Sequence, residues 1–221
     1  MGRSIFVQGY GATETVFATA LQPTDHDPDN PELLASCGRP VLSARVRLRA
    51  LDGSDGPVNP GEEGEVLISG GAVSPGYWQD TDATEASYCG DWFCTGDIAR
   101  VDKDGYYYVV DRIKDLVISG GMNIYPREVE NVIAKHADVA DVAVIGVPDE
   151  QWGESVKAFV VPRFQAQLTG ESIIDLCREQ LASYKKPRTV EIVPDLPRTA
   201  TGKVDKVALR SQFWPENSRQ V

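Results

Sequence analysis

The sequence predicts a mixed α+β or α/β protein of two consecutive bodies, a β-rich body over residues 1–112 and a compact α+β domain over residues 113–221. Between residues 41 and 110, short apolar or alternating segments are separated by clusters of Gly, Pro, Asn and Asp, which is typical of short antiparallel strands. After residue 113, strand-like and helix-like segments alternate. The charged stretch DRIKD at residues 111–115 lies between these patterns, and we expect it to be an exposed joint.

The first body is expected to open with an interior strand at residues 5–7 that ends in a glycine-containing turn at residues 9–11. Arg45, Arg47 and Arg49 alternate with small or apolar residues, and this period of two predicts a strand with one solvent-facing side. We therefore expect a small antiparallel β-barrel or a distorted sheet. The other expected elements are a surface loop at 22–40, a short helix from about Thr81, a turn at 102–105, and strands at 66–68, 92–94, 98–101 and 106–110.

The second body begins with an apolar run at residues 116–118, which suits a short strand, followed by the turn residues Gly120 and Gly121. Pro126 suits the first turn of a helix, and Thr169 suits a helix N-cap. These signals predict helices at 126–135, 171–181 and 205–214 and strands at 139–147, 157–161 and 190–193.

Charge and composition exclude several classes of partner. The 221 residues carry a net charge of −11, and the acid is concentrated in residues 1–112, which hold 8 Lys and Arg against 18 Asp and Glu. Nucleic acids and anionic membrane surfaces both require a basic footprint, so neither is expected as a partner. No apolar stretch approaches the length of a membrane span, and the N-terminus lacks the apolar core of a signal peptide, so we expect a cytoplasmic protein.

The four cysteines, Cys37, Cys89, Cys94 and Cys177, lie at no metal-ligand spacing and are expected to be reduced thiols. Of these, the spacing allows only Cys89 and Cys94 to be close together.

Three polar segments are candidates for a functional site, each with a purely structural alternative. The glycines around Tyr10 leave its ring accessible for stacking, and Thr13 and Glu14 supply the hard oxygens that Mg²⁺ prefers, although a plain strand and turn explains the same residues. Asp97 follows a glycine, so it can cap a turn or hold a ribose diol. Lys203, in a glycine-containing loop before a helix, can equally be an ordinary surface lysine.

Four segments resemble, in order and spacing, the adenylate-forming superfamily of acyl-CoA synthetases, adenylation domains and luciferases. They are QGYGATE at 8–14, TGD at 95–97, GYYYVVDRIKDLVISGGMNIYPREVE at 105–130 and PRTATGKVDK at 197–206. The resemblance implies that Tyr10 packs on adenine, with Gly11 in the same nucleotide-binding segment. It also implies that Thr13 contacts the adenylate phosphate and that Glu14 binds Mg²⁺.

The same resemblance implies that Asp97 and Arg112 hold the ribose hydroxyls, with Lys114 as the hinge of a mobile domain. Gly120 and Gly121 would line the pantetheine tunnel. Lys203 would steady the carboxylate and the α-phosphate during adenylation. The resemblance therefore implies catalytic roles for Lys203, Glu14 and Thr13.

The chain lacks the long N-terminal region of that family, including its Ser/Thr/Gly-rich phosphate loop that ends in lysine. It therefore resembles the C-terminal portion of such an enzyme. Residues 1–112 would be the end of the large AMP-binding domain with its β-barrel-like subdomain, and residues 113–221 the small mobile C-terminal domain.

The function implied by the resemblance is that of an AMP-forming acyl-CoA synthetase of the fatty-acid or aryl-acid type. The cofactors and substrates would be ATP or AMP, Mg²⁺, a carboxylic acid and coenzyme A. The partner would be a separate N-terminal half or a second copy of the chain. The alternatives are acyl transfer to a carrier protein and a non-catalytic binding or regulatory fragment.

Overall fold

The computed structural model describes residues 5–54, 56 and 58–214. The chain divides into two compact units, Met1–Ile113 and Lys114–Val221. Both units are built mainly from β-sheet with short helices. The prediction of a mixed, sheet-rich α/β fold is therefore confirmed.

The N-terminal part of unit 1 is a three-stranded antiparallel sheet. Its strands are β1 (Gln8–Ala12), β2 (Val16–Leu21) and β3 (Arg39–Pro40), in that order. Residues 5–7, predicted as an interior strand, precede β1, pair with no strand among the described residues and are largely exposed. The predicted turn at residues 9–11 is wrong, because glycines 9 and 11 lie inside β1, where the close approach of β2 requires them.

The rest of unit 1 is a five-stranded antiparallel sheet with two short helices. The strands run in the order β4–β5–β7–β6, and β8 pairs with another part of β7. Val66 and Ile68 of β5 face a core that also contains Leu48, Ala99 and Tyr107. The elements are α1 (Pro31–Leu34), β4 (Ala44–Ala50), β5 (Glu63–Gly70), α2 (Thr81–Ala86), β6 (Tyr88–Cys89), β7 (Trp92–Val101) and β8 (Tyr107–Arg112).

The charged joint is only partly exposed, which corrects the sequence-based expectation. Arg112 and Lys114 are exposed, but Asp111 and Asp115 are buried. The Asp115 carboxylate accepts a hydrogen bond of 2.7 Å from Arg210 Nη1, and such pairing is what allows a carboxylate to be buried. Composition alone could not reveal this partner, which lies 95 residues further along the chain.

Unit 2 is a second five-stranded sheet covered by helices. Strands run in the order β10–β9–β12–β11, all antiparallel, and β13 is parallel to β12. Thr169 caps α4 as predicted, whereas the last helix is shorter than predicted and starts after Asp205, which is its N-cap. The elements are β9 (Val117–Ser119), β10 (Met122–Ile124), α3 (Pro126–Ile133), β11 (Val139–Asp149), β12 (Gly153–Pro162), α4 (Gly170–Gln180), β13 (Thr189–Ile192) and α5 (Lys206–Arg210).

The core of unit 2 lies between its sheet and helices α3 and α4. Val129, Val132 and Ile133 recur at helical spacing on one face of α3 and are buried against β11 and β12. Ile173 and Cys177 bury the matching face of α4. Pro126 stands at the first turn of α3, where its missing N–H has no intrahelical acceptor to lose.

Among the helices that the structure describes, none has the length and apolarity needed to cross a bilayer.

We predict that residues 114–221 fold without the rest of the chain, since they have their own apolar core. In that fragment Ile133→Ala should lower the free energy of unfolding by about 2–5 kcal/mol, because it leaves a cavity at a fully buried position. Asn131→Ala, on the exposed side of the same helix, should change it by less than about 0.5 kcal/mol. Urea unfolding followed by circular dichroism gives both values. A broad, non-cooperative transition without dispersed amide resonances would contradict the prediction.

Candidate functional site

Asp97 is the centre of a hydrogen-bonded cluster in unit 1. Its two carboxylate oxygens accept hydrogen bonds from Tyr10 Oη at 2.8 Å and from Arg112 Nε at 2.9 Å. Asp97 and Arg112 are direct partners in the pairing of β7 with β8, whereas Tyr10 comes from β1. The Asp97 residue is only 8% exposed, but the Arg112 side chain is 52% exposed. The cluster thus joins a nearly buried acid to a cation that solvent or a ligand can reach.

The backbone around Asp97 explains how its carboxylate is held in place. Gly96 has φ +69°, a conformation that favours glycine, and it redirects β7 just before Asp97. The Thr95 hydroxyl accepts the backbone N–H of Asp97 at 3.0 Å and donates to the carbonyl of Val66 at 2.9 Å. Asp97 therefore lies within a continuous strand that is locally reshaped, not in a free turn, which disfavours the simple turn-cap interpretation.

Tyr10 contributes its hydroxyl to the cluster in this structure. Burial, followed by the negative charge of Asp97, raises the pKa of Tyr10 well above its ordinary value. The phenol therefore remains a hydrogen-bond donor at physiological pH. Its acceptor, the Asp97 carboxylate, keeps unused lone pairs even with two donors bound, and a ribose hydroxyl can donate to them.

The end of β1 and the turn that follows it carry the other sequence-predicted residues of unit 1. Gly11 allows the backbones of β1 and β2 to approach each other closely, because a Cβ there would lie 1.5 Å from the Val16 carbonyl oxygen. Thr13 is exposed at the tip of the turn. Glu14 is half-buried, and its Oε1 accepts a hydrogen bond of 2.7 Å from Tyr77 Oη.

Glu14 fits the expected role of a magnesium ligand. Mg²⁺ in nucleotide enzymes is held by one or two carboxylates together with substrate phosphates and water, so a cage of protein ligands is not required. Within the described residues there is indeed no cluster of three or more potential metal ligands. Within the described residues, no hydrogen bond or ion pair engages Glu14 Oε2, so one hard oxygen is available for a cation.

Gly120 and Gly121 form the turn between β9 and β10 in unit 2. Both have positive φ, +58° and +79°, as predicted for this double glycine. A Cβ on Gly120 would lie 2.6 Å from the indole ring of Trp152, and the Gly120 N–H donates to the Trp152 carbonyl at 2.9 Å. Trp152 is 39% exposed. The turn is therefore packed on one side against an aromatic face, while a Cβ on Gly121 would meet open space.

Lys203 is exposed, and its loop is held by several hydrogen bonds. The Lys203 carbonyl accepts the backbone N–H of Thr199 at 2.8 Å. Arg198 donates to the Gly202 carbonyl at 3.1 Å and to Asp141 of β11 at 2.5 Å. The backbone that carries Lys203 is thus anchored to the sheet through Arg198 and Asp141, and within the described residues the lysine ammonium forms no salt bridge.

Lys114 is exposed and is the first residue of unit 2. It lies in a 3-10 turn, Ile113–Asp115, whose last residue is fixed by Arg210. A hinge at Lys114 would thus be followed immediately by a rigid attachment to unit 2.

The structure brings together three of the predicted residues, Tyr10, Asp97 and Arg112, and places the others on two units. Sequence reasoning missed Tyr77 and Trp152, which contact Glu14 and Gly120. Each of these aromatic residues lies beside a glycine in a polar loop, and this feature could have marked both as candidates. No sequence pattern links Tyr77 to Glu14 or Trp152 to Gly120. Unit 1 carries Tyr10, Gly11, Thr13, Glu14, Asp97 and Arg112, and unit 2 carries Lys114, Gly120, Gly121 and Lys203.

Comparison with known proteins agrees with these features. The family model described as AMP-binding enzyme matches residues 1–78, and that described as AMP-binding enzyme C-terminal domain matches residues 128–203. The medium/long-chain-fatty-acid–CoA ligase FadD8 of Mycobacterium tuberculosis is 45% identical over 98% of this chain and 38% of its own length.

Two solved structures show the same fold over nearly the whole chain. The amide bond synthetase McbA of Marinactinospora thermotolerans has a TM-score of 0.83 at 39% identity, covering 97% of this chain and 43% of that one. The o-succinylbenzoate coenzyme A synthetase of Bacillus subtilis, in complex with ATP and magnesium ion, has a TM-score of 0.80 at 36% identity, covering 94% and 41%. This chain spans about two fifths of the length of these relatives. It belongs to the AMP-binding, adenylate-forming enzyme family.

Proposed function

We propose that this chain is the C-terminal part of an AMP-forming acyl-CoA synthetase, which activates a carboxylic acid to an acyl-adenylate with ATP and transfers the acyl group to CoA. Residues 1–112 would be the end of the large AMP-binding domain, and residues 113–221 the small mobile domain. The observation that carries the proposal is the nearly buried Asp97 carboxylate, oriented by Tyr10 and by the exposed Arg112. FadD8 and the o-succinylbenzoate enzyme support the ligase class by their names.

Asp97 and Arg112 are proposed to bind the nucleotide through its ribose. A carboxylate with its orientation fixed by two donors can accept both hydroxyls of a diol without reorganising. The guanidinium group of Arg112 offers a planar set of donors beside it, which a lysine would not. Tyr10 and Gly11, on β1 of the three-stranded sheet, would contact the adenine.

Lys203 is proposed to act in adenylation. As the substrate carboxylate attacks the α-phosphorus, the P–O bond to pyrophosphate breaks and negative charge accumulates on the phosphoryl oxygens. An ammonium group on an anchored loop stabilises that charge, and Thr13 would donate a hydrogen bond to the same phosphate. A magnesium ion bound by Glu14 would supply further neutralisation of the phosphates.

Lys114, Gly120 and Gly121 are proposed to act in thioester formation. The boundary between the compact units falls directly before Lys114, which suits a hinge at which a few backbone angles change. Rotation there would remove Lys203 and present the double-glycine turn to the pantetheine arm. A turn with no Cβ on its open side lets a narrow chain pass close to the backbone.

A further portion of protein is proposed to complete the active site, and we call it the complementary portion. Its size would correspond to the roughly three fifths of the relatives that this chain does not match. The exposed apolar residues before and within the first hairpin, Ile5, Phe6, Val7, Val16 and Phe17, are the kind of surface that such a portion covers. It can be part of the same polypeptide, a separate chain or a second copy.

Several acyl acceptors are compatible with the names of the relatives. Coenzyme A is favoured by the names of the two ligases, whereas the name of McbA describes amide synthesis, so an amine is a second candidate. A carrier-protein thiol and a non-catalytic fragment of the fold are the remaining alternatives. The acid would be of the fatty-acid or aryl-acid type. A cytoplasmic location is a further prediction, which the four free thiols support.

The first functional prediction concerns Asp97. In the enzyme completed by its complementary portion, Asp97→Asn should weaken AMP binding about tenfold or more, because a hydrogen bond to a charged group contributes about 1.5–3 kcal/mol. Asp104→Asn, at an exposed turn, is the matched control and should bind AMP as the wild type does. Isothermal titration calorimetry measures both, and equal AMP affinity in Asp97→Asn and wild type would exclude the ribose-binding role.

The second functional prediction separates the two half-reactions. Lys203→Ala should slow adenylation, measured as pyrophosphate release, about 10²–10³-fold, on the scale of removing one transition-state donor, and spare thioester formation from preformed acyl-adenylate. Lys114→Pro should do the reverse, since proline fixes φ at the proposed hinge. Lys135→Ala, an exposed lysine on unit 2, should affect neither rate. Equal loss of both half-reactions in Lys203→Ala would contradict this division of roles.

A further inference from the structure

The loop at residues 74–77 is attached to the turn that carries Glu14 by two separate contacts. The Ser74 N–H donates to the Glu14 carbonyl at 2.7 Å, and Tyr77 Oη donates to Glu14 Oε1 at 2.7 Å. The first contact fixes the backbone of Glu14, and the second fixes the orientation of its carboxylate. The two can be separated by mutation, because removing the Tyr77 hydroxyl leaves the backbone contact in place.

Tyr77 itself is held by the first turn of α2. Its N–H donates to Thr84 Oγ1 at 2.9 Å, and Thr84 Oγ1 in turn donates to the Asp80 carbonyl at 2.7 Å. Gly76, with φ +145°, packs so closely on Thr84 that a Cβ there would lie 2.5 Å from Thr84 Cγ2. The hydroxyl of Tyr77 is therefore presented to Glu14 from an anchored backbone.

We propose that Tyr77 is a positioning residue for the cation site at Glu14, which it restricts to one carboxylate oxygen. The inference rests on the proposed function of Glu14 as the magnesium ligand. The Tyr77 hydroxyl occupies Oε1, and within the described residues the other oxygen is unengaged. Ligating carboxylates are commonly oriented by such hydrogen bonds, and losing one typically lowers metal affinity or activity about 10–100-fold.

Monodentate coordination also bears on the choice of cation. Mg²⁺ requires near-octahedral geometry with several retained waters, whereas Ca²⁺ accepts carboxylates in both monodentate and bidentate modes. A donor fixed on Oε1 disfavours bidentate binding and so favours Mg²⁺ over Ca²⁺.

A purely structural role makes a different prediction. Tyr77 is 41% exposed, and a hydrogen bond on the surface changes stability by only about 0.5 kcal/mol or less. Tyr77→Phe should then have almost no effect on any property. Tyr88→Phe is a matched control, because the Tyr88 hydroxyl donates to the Ser74 carbonyl in the same loop and not to the Glu14 carboxylate.

The test measures cation binding directly in the completed enzyme, with a non-hydrolysable ATP analogue present. Free Mn²⁺, followed by electron paramagnetic resonance, reports occupancy, and competition with Mg²⁺ and Ca²⁺ gives their relative affinities. Tyr77→Phe should weaken Mn²⁺ and Mg²⁺ about tenfold and Ca²⁺ less, so the Mg²⁺/Ca²⁺ preference should fall. The Mg²⁺ concentration for half-maximal pyrophosphate release should rise by a similar factor, while thioester formation from preformed acyl-adenylate is unchanged.

Three results would overturn the inference. In the first, Tyr77→Phe keeps both its Mn²⁺ affinity and its Mg²⁺/Ca²⁺ preference within twofold of the wild-type values. In the second, Tyr88→Phe changes cation affinity as much as Tyr77→Phe does. In the third, Tyr77→Phe slows pyrophosphate release and thioester formation equally. Each of these leaves the proposed ligase function intact if the wild type releases pyrophosphate in a Mg²⁺-dependent way. Absence of that release from the wild-type completed enzyme would overturn the proposed function and this inference together.

Discussion

The nearly buried carboxylate of Asp97 is the interaction on which the arrangement of unit 1 depends. It connects three strands, because Tyr10 of β1 and Arg112 of β8 both donate to an acid on β7. An unpartnered charge at this depth would be strongly unfavourable, so the donors are required as much by the fold as by any ligand. The same hydrogen bonds orient the acid toward an edge where Arg112 is accessible. The structural requirement and the proposed ribose-binding role would therefore coincide at Asp97.

Unit 2 places its candidate residues on turns that are rigid at the backbone. The Lys203 loop is tied to β11 through Arg198 and Asp141, and the double-glycine turn is packed against Trp152. Side chains or open backbone are thus presented from fixed positions, which would lower the reorganisation needed to bind the proposed substrates. A domain with such preformed elements can serve two reaction steps by moving as a body, without remodelling either turn.

The sequence predicted regular elements well where periodicity and caps were strong. The start of α3 at Pro126, the Thr169 cap of α4 and the double-glycine turn were all placed correctly, since each depends on residues close in sequence. It failed at residues 9–11, because the glycines that suggested a turn lie inside β1, where the close approach of β2 requires them.

The prediction of the site was limited because its contacts join residues that are far apart in the sequence. The residue types at Asp97, Arg112 and Glu14 indicated their chemistry, but the contact between Tyr77 and Glu14 spans 63 positions. The burial of Asp115 depends on Arg210, which is also far along the chain. Such partners are set by tertiary packing, which a local pattern does not contain.

The most direct test of the account is pyrophosphate release and thioester formation by the 221-residue chain, measured separately with and without its complementary portion. We expect no pyrophosphate release above background from the chain alone, since none of the roles proposed for its described residues is to bind the β- and γ-phosphates. Addition of the complementary portion should restore turnover to the ordinary enzymatic range of about 1–10³ s⁻¹. Pyrophosphate release at such a rate by the chain alone, or none after completion, would contradict it.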